Sequence, residues 1–535
     1  MPGYRIAARP PLGAPAVPRY VTDPDRLRSF LEDAAHVPGG HASALVTPTN
    51  EAEVAAVVQR STAVLPIGAQ SSLTGGATPR GEVLLGMARF GRIIDSGADW
   101  VRVGAGVTLA ELDAVLARTG RYYPPAPTFN GAFVGGTVAT NAAGAATFKY
   151  GTTRDWVRAV TVVLPTGDVL DIERGATRAH VDGYFEVVLG NRTVRVPVPS
   201  YRMPKVPKVS AGYFAEPGMD LIDLFIGAEG TLGVMTEVTL KVRPERPAWC
   251  LAFVPFAGRA ATLGFVRLLR DAAQQTWRSH EGGLDVSAIE HIDGRCLDLL
   301  REDGADRRTG VTWPDRTAMA LLVTLELPAA TTSQQAFDDI GRAGDPGAPG
   351  TSLARFCHAL DQAGVLDEVQ IAVPGDLARA EQLLALREAV PAIVNQRVGL
   401  AQATVDPRIE KIAADMIVPF ERLGDMLAIY EAEFTRRRLD VAIWGHISDG
   451  NLHPNVMPRS FADVESGRAA ILDLGREVMR LGGSPLAEHG VGRNRVKQQL
   501  LAELYGQAGI DQMRQVKRAL DPEWKLAPGV LFLPA

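Results

Sequence analysis

The amino-acid sequence predicts an α+β fold with more than one domain. Three observations lead to this expectation. The chain has 535 residues, short β-rich runs follow one another from about residue 101 to 242, and strands separated by long amphipathic helices begin near residue 246. One hydrophobic core does not organise a chain of this length, so two or three domains are expected.

Composition indicates a globular protein and argues against several function classes. Hydrophobic residues make up 46% of the chain, charged residues 22%, and the formal net charge is -5. A negative charge of this size creates no field that would attract nucleic acid, so nucleic acid is not an expected partner. Cys250, Cys296 and Cys357 are far apart and odd in number, which indicates neither a disulfide framework nor a cysteine zinc site.

The N-terminal sequence, MPGYRIAARPPLGAPAVPRY, lacks the apolar stretch of a secretion signal. No run in the chain approaches the roughly 20 apolar residues that span a bilayer. The expected location is therefore the cytoplasm, with peripheral attachment to the inner face of the membrane left open.

Residues 43–77 predict a strand, a helix, a second strand and a glycine-rich loop. Asn50 has the position of a helix N-cap, with Glu53 reaching back as in a capping box. Val54, Val57 and Val58 recur at helical spacing and form the predicted buried face. The fold therefore opens with an α+β unit.

Two hairpins are predicted within the β-rich region. Pro165-Thr166-Gly167-Asp168 separates one pair of strands, and a Gly-Asn turn at residues 190–191 separates another. The second hairpin belongs to an extra stretch, residues 175–210, which ends in a loop rich in proline and lysine. This stretch could be a lid, an oligomer contact or a docking surface.

From about residue 246 to 458 the pattern predicts a sheet with helices on one face, as in ferredoxin-like folds.

Two loops are dense in small residues, at Pro66–Ala77 and Pro124–Gly151. Small residues let the backbone approach a ligand, and consecutive N–H groups can form an anion-binding nest. Together they predict a pyrophosphate cradle, with tight chain crossings in a β-rich fold as the alternative.

Gly104 and Gly106 resemble the start of a dinucleotide fingerprint, but Leu109 occupies the third glycine position, so an NAD site is not predicted.

Two histidines flank a turn in IWGHISDGNLHPN, residues 443–455. If residues 448–451 form a four-residue loop, His446 lies directly opposite His453. Opposed Cβ atoms are about 4.5–5.5 Å apart, close enough for both imidazoles to bind one divalent ion. An ordinary hairpin is the alternative, and a metal site needs a third ligand.

Six segments resemble, in their order along the chain, flavoproteins of the vanillyl-alcohol oxidase type. They are PIGAQSSLTGGA, VGGTVATNAAG, DLFIGAEGTLGVMTEVTL, GHISDGNLHPN, AEHGVGRNR and DPEWKLAPGVLF. Within that family the chain is most similar to the D-lactate, glycolate and D-2-hydroxyglutarate dehydrogenases. The resemblance covers roughly residues 40–535.

The resemblance implies four parts. They are an N-terminal extension (1–39), a PCMH-type FAD-binding domain of two α+β subdomains (40–245), a ferredoxin-like cap domain that binds substrate (246–484), and a C-terminal segment returning to the FAD domain (485–535). Gln70 and Ser71 stand where relatives with covalent flavin carry a histidine, so the FAD is expected to be non-covalent. The implied FAD-binding residues are Ile67, Gly68, Ala69, Gln70, Ser71, Ser72, Gly75, Pro127, Thr128, Gly135, Gly136, Asn141, Gly144, Gly233, Val234 and Asn451.

The resemblance also implies a metal-assisted oxidation of a D-2-hydroxy acid to the 2-oxo acid, with hydride transfer to flavin N5. A divalent ion, zinc or else manganese, would be held by His446, His453 and Glu488. His489 would be the general base. Arg387 would bind the substrate carboxylate, with Lys411 as a weaker candidate. A quinone, a cytochrome or an electron-transfer flavoprotein would accept the electrons, and a homodimer is one possible assembly.

The chain departs from the family pattern in its tail. Residues 527–530 read Ala-Pro-Gly-Val where the family usually has Asn-Pro-Gly-Lys, so an expected polar contact near the flavin is missing.

Two other functions stay open on the sequence. One is a non-redox FAD enzyme resembling alkylglycerone-phosphate synthase, and the other is a flavin subunit that relays electrons within a complex.

Overall fold

The computed structural model describes residues 3–14, 18–125, 129–279, 282–345 and 350–534. Helices and strands are mixed along the whole chain, which confirms the α+β class. The strands are β1 (Arg5–Ala7), β2 (Ala44–Val46), β3 (Val64–Ile67), β4 (Val83–Gly86), β5 (Ile93–Ser96), β6 (Trp100–Gly104), β7 (Arg121–Tyr122), β8 (Val157–Val163), β9 (Val169–Glu173), β10 (Tyr184–Leu189), β11 (Arg192–Pro197), β12 (Val234–Lys241), β13 (Arg243–Pro244), β14 (Ala248–Phe256), β15 (Val286–Asp293), β16 (Met319–Leu327), β17 (Gln370–Ala372), β18 (Ile412–Ala413), β19 (Met416–Ile417), β20 (Val441–His446) and β21 (Asn451–Val456). The helices are α1 (Pro24–Leu27), α2 (Glu51–Arg60), α3 (Leu109–Ala117), α4 (Val134–Ala139), α5 (Thr147–Tyr150), α6 (Thr153–Trp156), α7 (Leu221–Phe225), α8 (Arg259–Ser279), α9 (Gly294–Asp303), α10 (Ala305–Thr309), α11 (Ser333–Gly341), α12 (Ser352–Gln362), α13 (Leu377–Thr404), α14 (Leu423–Arg437), α15 (Phe461–Arg480) and α16 (Arg495–Leu520).

The chain forms two compact units. The first unit contains residues 1–144, 151–244 and 486–535, and the second contains residues 145–150 and 245–485. The first unit therefore includes both ends of the chain, whereas most of the second unit is one continuous stretch.

A three-stranded parallel sheet, in the order β2-β4-β3, begins the first unit. Helix α2 joins two of its strands, and the side chain of Asn50 accepts the N–H of Glu53 as predicted. Glu53 reaches back to the N–H of Thr49, one residue before the expected partner. Val54, Val57 and Val58 are completely buried, so the predicted apolar face is the packed face.

The β-rich region forms a five-stranded antiparallel sheet in the order β5-β6-β12-β8-β9. The predicted hairpin is strands β8 and β9, with Val163 paired to Val169 and Gly167 at a φ of +87° in the turn. The second predicted hairpin is β10 and β11, and its turn contains Gly190 at a φ of +58°. Strand β1 extends this hairpin by parallel pairing with β10.

The C-terminal segment is part of the core of the first unit. Val64 of β3 donates its N–H to Lys525 O and accepts the N–H of Ala527, both at 2.8 Å. The buried ammonium of Lys517 donates to Thr231 O at 2.5 Å and to Leu526 O at 2.8 Å. Burial lowers the pKa of Lys517 to about 8, although Asp521 beside it opposes the shift.

The second unit is built on an antiparallel sheet in the order β17-β14-β16-β15-β20-β21-β18, with β19 also pairing β21. Helices cover both faces of this sheet, so the expectation of one covered face was wrong. Phe253 of β14 packs in one cluster with residues of α9 and α13, whereas Phe256 lies 5.3 Å from the ring of Phe265 in α8. The physical reason is that β14 and β16 are apolar at nearly every position, so each must bury both faces.

Among the helices that the structure describes, none has the length and apolar character needed to cross a membrane.

Candidate active site

The first glycine-rich loop follows β3 in the first unit. Gln70 has a φ of +51° and Gly75 a φ of +71°, so the loop contains two left-handed residues. The Gln70 side chain braces the loop by donating to Phe30 O and Ala77 O, both at 2.9 Å. In the described chain, no hydrogen bond engages the backbone N–H groups of residues 69–73. These successive donors are available to an anion.

The second loop leads into α4, where two adjacent glycines differ in their surroundings. A Cβ on Gly135 would lie 2.7 Å from Ala105 Cβ, so its missing side chain is explained by packing. A Cβ on Gly136 would meet no atom of the described residues within 4 Å, which leaves open space for a ligand. Asn141, at a φ of +48°, accepts the N–H of Arg154 at 2.9 Å. Pro127 and Thr128 lie outside the described residues.

Three other residues expected to contact FAD have local structural roles. Val234 is 1% exposed and packs in the hydrophobic core of the first unit, while a Cβ on Gly233 would lie 2.2 Å from Val162 Cγ1. Asn451 belongs to the second unit, and its amide donates at 3.0 Å to Asp415 Oδ1 and Met416 O. Packing therefore explains the glycine at position 233 and the valine at position 234.

The segment 488–493 is anchored beside the first glycine loop within the same unit. Arg493 donates its N–H to Thr74 O at 3.0 Å. The carboxylate of Glu229 accepts the N–H groups of Val491 and Gly492, each at 2.8 Å. Burial raises the pKa of Glu229 to about 7, and these two hydrogen bonds and Lys497 oppose the shift. Sequence reasoning missed Glu229, although it lies in the glycine-flanked run GAEGTLG.

Glu488 and His489 are adjacent in this segment, and a lysine lies beside Glu488. Glu488 Oε2 is 3.0 Å from Lys208 Nζ, and Glu488 Oε1 is 3.4 Å from His489 Nε2. The Lys208 side chain is fully buried. Its partner was not predicted, because the two residues are 280 positions apart and the only sequence signal was a lysine in a proline-rich stretch.

The histidine hairpin in the second unit differs in register from the prediction. His446 pairs with Asn451 and Trp444 with His453, so the two histidines are diagonal neighbours on one face. Their ring centroids are 5.5 Å apart at an interplanar angle of 87°. The loop is residues 447–450, because Gly450 takes the left-handed position at a φ of +84° and Asn451 thus enters the strand.

Other polar residues of the second unit surround this hairpin. Glu290 pairs with His446 across the sheet, and its Oε2 accepts a 2.5 Å hydrogen bond from Arg387 Nε. Lys411 Nζ donates to Asn395 at 2.9 Å and lies 5.7 Å from the ring centroid of Trp444.

Two of these groups have electrostatic features that bear on ligand binding. Burial lowers the pKa of Lys411 to about 8. Asp415 is 1% exposed, and its Oδ1 lies 3.5 Å from His453 Nδ1. Sequence reasoning missed Asp415 because it is one acid in the otherwise apolar run AADMIVP.

Comparison with known proteins identifies the family. The model of the FAD-linked oxidase C-terminal domain matches residues 257–531, more than half of the chain, and an FAD-binding domain model matches residues 42–173. The chain belongs to the family of FAD-linked oxidases.

Similar proteins include dehydrogenases and a synthase. A D-lactate dehydrogenase of Anaerostipes hadrus is 28% identical over 91% of this FAD-linked oxidase and 88% of the relative. A D-2-hydroxyglutarate dehydrogenase of Xanthomonas citri pv. viticola is 28% identical over 97% and 95% of the two chains. The solved structure of an alkyldihydroxyacetonephosphate synthase has a TM-score of 0.56 at 16% identity, covering 91% of this chain and 77% of that one. The last likeness shows a shared fold.

The family assigns FAD as the cofactor of this oxidoreductase, and the first unit fits it. The N–H groups of residues 69–73 are available to a pyrophosphate, and the open side of Gly136 allows close approach of a ligand to α4. The expectation of FAD is therefore confirmed.

We expect Gly445→Ala to destabilise this FAD-linked oxidase by about 1–4 kcal/mol. Gly445 has a φ of +145°, and an added Cβ would lie 2.6 Å from Asn451 O and 3.1 Å from His453 Cδ2. Urea unfolding measures the loss. Gly399→Ala is the control, because Gly399 lies in α13, where an added Cβ would meet no atom of the described residues within 4 Å beyond the backbone of its own helix, and should be neutral or slightly stabilising. Equal stability of the two variants would contradict this account of Gly445.

Proposed function

We propose that this FAD-linked oxidase is a divalent-metal-dependent dehydrogenase that oxidises a D-2-hydroxy acid to the 2-oxo acid. The observation that carries the proposal is a cluster of polar side chains in the second unit. His446 and His453 lie on one face of a hairpin, and Arg387 donates to Glu290 on the neighbouring strand. Two imidazoles suit a divalent ion, and the guanidinium suits the carboxylate of a small acid. The dehydrogenase relatives of this family support the same substrate class.

The proposed metal ligands are His446, His453 and Glu488. Two imidazoles and one carboxylate match catalytic zinc sites, which keep positions open for substrate, and they also accept manganese. Chain connectivity supports Glu488 as the third ligand. Ser484 forms two backbone hydrogen bonds with Ile417, whose strand β19 pairs with β21, and Glu488 follows four residues later.

In the proposed mechanism, bound FAD supplies the hydride acceptor and the metal ion supplies a Lewis acid that acidifies the substrate hydroxyl. His489 accepts the hydroxyl proton on its imidazole as the hydride leaves Cα. Arg387 and Lys411 bind the substrate carboxylate and so fix the orientation of the substrate Cα and its hydroxyl. The Arg387 guanidinium uses Nε for Glu290, which leaves its terminal N–H groups for a bidentate contact.

Lys208 is the proposed positioning group for Glu488. Its buried ammonium holds Oε2 at 3.0 Å and supplies a positive charge beside the carboxylate. The pair lowers the cost of keeping Glu488 ionised at 7% exposure. Oε2 of Glu488 thereby stays oriented toward Lys208, and the other carboxylate oxygen is the one that would be left for a metal ion.

The reaction needs an external electron acceptor, and we propose a quinone, a cytochrome or an electron-transfer flavoprotein. The proposed location is the cytoplasm, with a homodimer as the proposed assembly. Substrate oxidation that stops after one turnover without such an acceptor is the expected kinetic behaviour.

The decisive experiment is anaerobic reduction of the bound flavin. Protein purified with FAD should lose its yellow colour on addition of D-lactate, glycolate or D-2-hydroxyglutarate, and L-lactate is the stereochemical control for the first of these. Metal analysis of the same sample should find about one divalent ion for each flavin. Failure of every 2-hydroxy acid to reduce the flavin would overturn the proposal, and turnover of an acyl lipid without any acceptor would favour a non-redox function.

We expect kcat/KM for the hydroxy acid to fall as the pH rises through about 8. The reason is that burial lowers the pKa of Lys411 to about 8, so its ammonium loses its proton there and no longer attracts the substrate carboxylate. Lys411→Arg should remove this fall, because a guanidinium stays protonated. Lys411→Met should instead lower kcat/KM below pH 8 and leave little pH dependence above it. An unchanged pH profile in both variants would contradict this role for Lys411.

A further inference from the structure

A cavity of about 640 Å³ lies within the second unit, lined by strands β15 and β20, helix α14 and the start of α8. His291, Arg259, Arg438 and Arg459 are among its lining residues. Its volume is within the range of small-molecule sites in proteins.

This cavity is on the opposite face of the sheet from the proposed substrate site. His291 follows Glu290 in β15, and successive side chains of a strand point to opposite faces. Glu290 pairs with His446 and holds Arg387, whereas His291 pairs with Gly445 and lines the cavity. A ligand in the cavity would therefore not occupy the site of hydroxy-acid oxidation.

The floor of the cavity contains a buried polar side chain with unused hydrogen-bonding capacity. His291 is 1% exposed, and neither ring nitrogen has a hydrogen-bond partner among the described residues. Burial lowers its pKa to about 4, and the positive charge of Arg259 adds to this lowering. At neutral pH the imidazole thus offers one N–H donor and one acceptor nitrogen. Buried polar groups rarely go without partners, so His291 indicates a polar ligand.

The acidic residues of the lining already have partners. Asp440 is bound by Arg295 through contacts of 2.8 and 3.1 Å, and Glu431 by Arg259 at 2.6 Å. The carboxylate of Asp293 accepts the backbone N–H groups of Cys296 and Ile443.

Two exposed arginines at the mouth of the cavity keep most of their charge uncompensated. No ion pair within the described ranges involves Arg438, and the carboxylate nearest to Arg459 is Asp463 at 4.0 Å. Arg459 also donates to Arg438 O at 3.3 Å, which holds the two residues together. Their charges make the entrance attractive to an anion.

We propose that this cavity is a second small-molecule site, which binds a low-molecular-weight anion bearing a hydroxyl group. Its phosphate or carboxylate lies between Arg438 and Arg459, and its hydroxyl reaches His291. The two arginines supply the charged, planar donors that recognise such groups, and the neutral imidazole supplies the polar contact at depth. The site is independent of the proposed oxidation chemistry.

Calorimetric titration of the flavin-loaded protein tests the site with two matched probes. Glycerol 3-phosphate and 3-hydroxypropionate carry a phosphate and a carboxylate, and neither is a 2-hydroxy acid. At least one should bind with a millimolar or lower Kd, while glycerol should not bind. The stronger probe identifies the preferred anionic group.

Variants locate the binding. Arg438→Gln and Arg459→Gln should each weaken binding about tenfold, and His291→Leu should do the same by removing the deep polar contact. Arg436→Gln is the matched control, because Arg436 is an exposed arginine two residues before Arg438 that pairs with Glu433 and does not line the cavity. Absence of binding to wild-type protein, or unchanged binding in both cavity arginine variants, would overturn the proposal. If His291→Leu fails to fold, the arginine variants decide alone.

Discussion

His489→Ala is expected to lower the rate of flavin reduction by a 2-hydroxy acid about 10²–10⁴-fold, the usual contribution of a general base. FAD should remain bound, because the cradle residues 69–73 and Gly136 are unchanged. Rapid-mixing absorbance under anaerobic conditions measures the reduction rate directly. The expected fall is in kcat and kcat/KM together, since the proton is transferred only in the reacting complex.

Two further variants separate proton transfer from packing. His489→Gln keeps a polar side chain of similar reach but cannot accept the proton, so it should be nearly as slow as His489→Ala. His358→Ala is the control, because His358 is an exposed histidine of α12 whose ring lies against Gln362. An unchanged rate of flavin reduction in His489→Ala would exclude His489 as the base, whereas full activity of this variant only within a larger complex would favour an electron-relaying role.

His453→Ala and His446→Ala are each expected to weaken metal binding by at least about 100-fold and to abolish most turnover. Loss of residues that only orient a metal ligand costs 10–100-fold in affinity, so loss of a ligand should cost no less. Metal content after dialysis, measured by atomic emission, and its restoration at high zinc or manganese concentration report the effect.

The hairpin offers an intermediate variant and a control. Asp415→Asn removes the carboxylate 3.5 Å from His453 Nδ1 and should weaken metal binding by about 10–100-fold. His36→Ala changes an exposed histidine paired with Glu32 and should leave metal content unchanged. Wild-type metal content in both His446→Ala and His453→Ala would contradict the proposed ligand set.

Local features of the fold could be predicted because neighbouring residues determine them. Asn50 caps α2, and Gly167 and Gly190 occupy turn positions with positive φ, where glycine has no steric cost. The glycine loops indicated a cradle for the same reason. In each case the residue and its structural consequence lie within a few positions along the chain.

The hairpin prediction was correct in its face and wrong in its register. Both His446 and His453 point to one side of the sheet, but the left-handed position in the turn belongs to Gly450, so the loop begins one residue earlier than predicted. Glycine and asparagine both tolerate the left-handed conformation. The Gly-Asn pair at residues 450–451 therefore does not by itself distinguish a loop at 447–450 from one at 448–451. Pairing of β21 with β18 and β19 adds contacts that only the assembled sheet provides.

The sequence by itself determined the α+β class, the turns at Gly167 and Gly190, the family and its flavin. Only the tertiary structure decided the partners of the charged groups: Glu290 for Arg387, Lys208 for Glu488, and the backbone of Val491 for Glu229. It also revealed the isolated His291 on the other face of the sheet from His446. The physical reason is that such partners are far apart along the chain, and burial, which makes their pairing necessary, exists only when the strands and helices have packed.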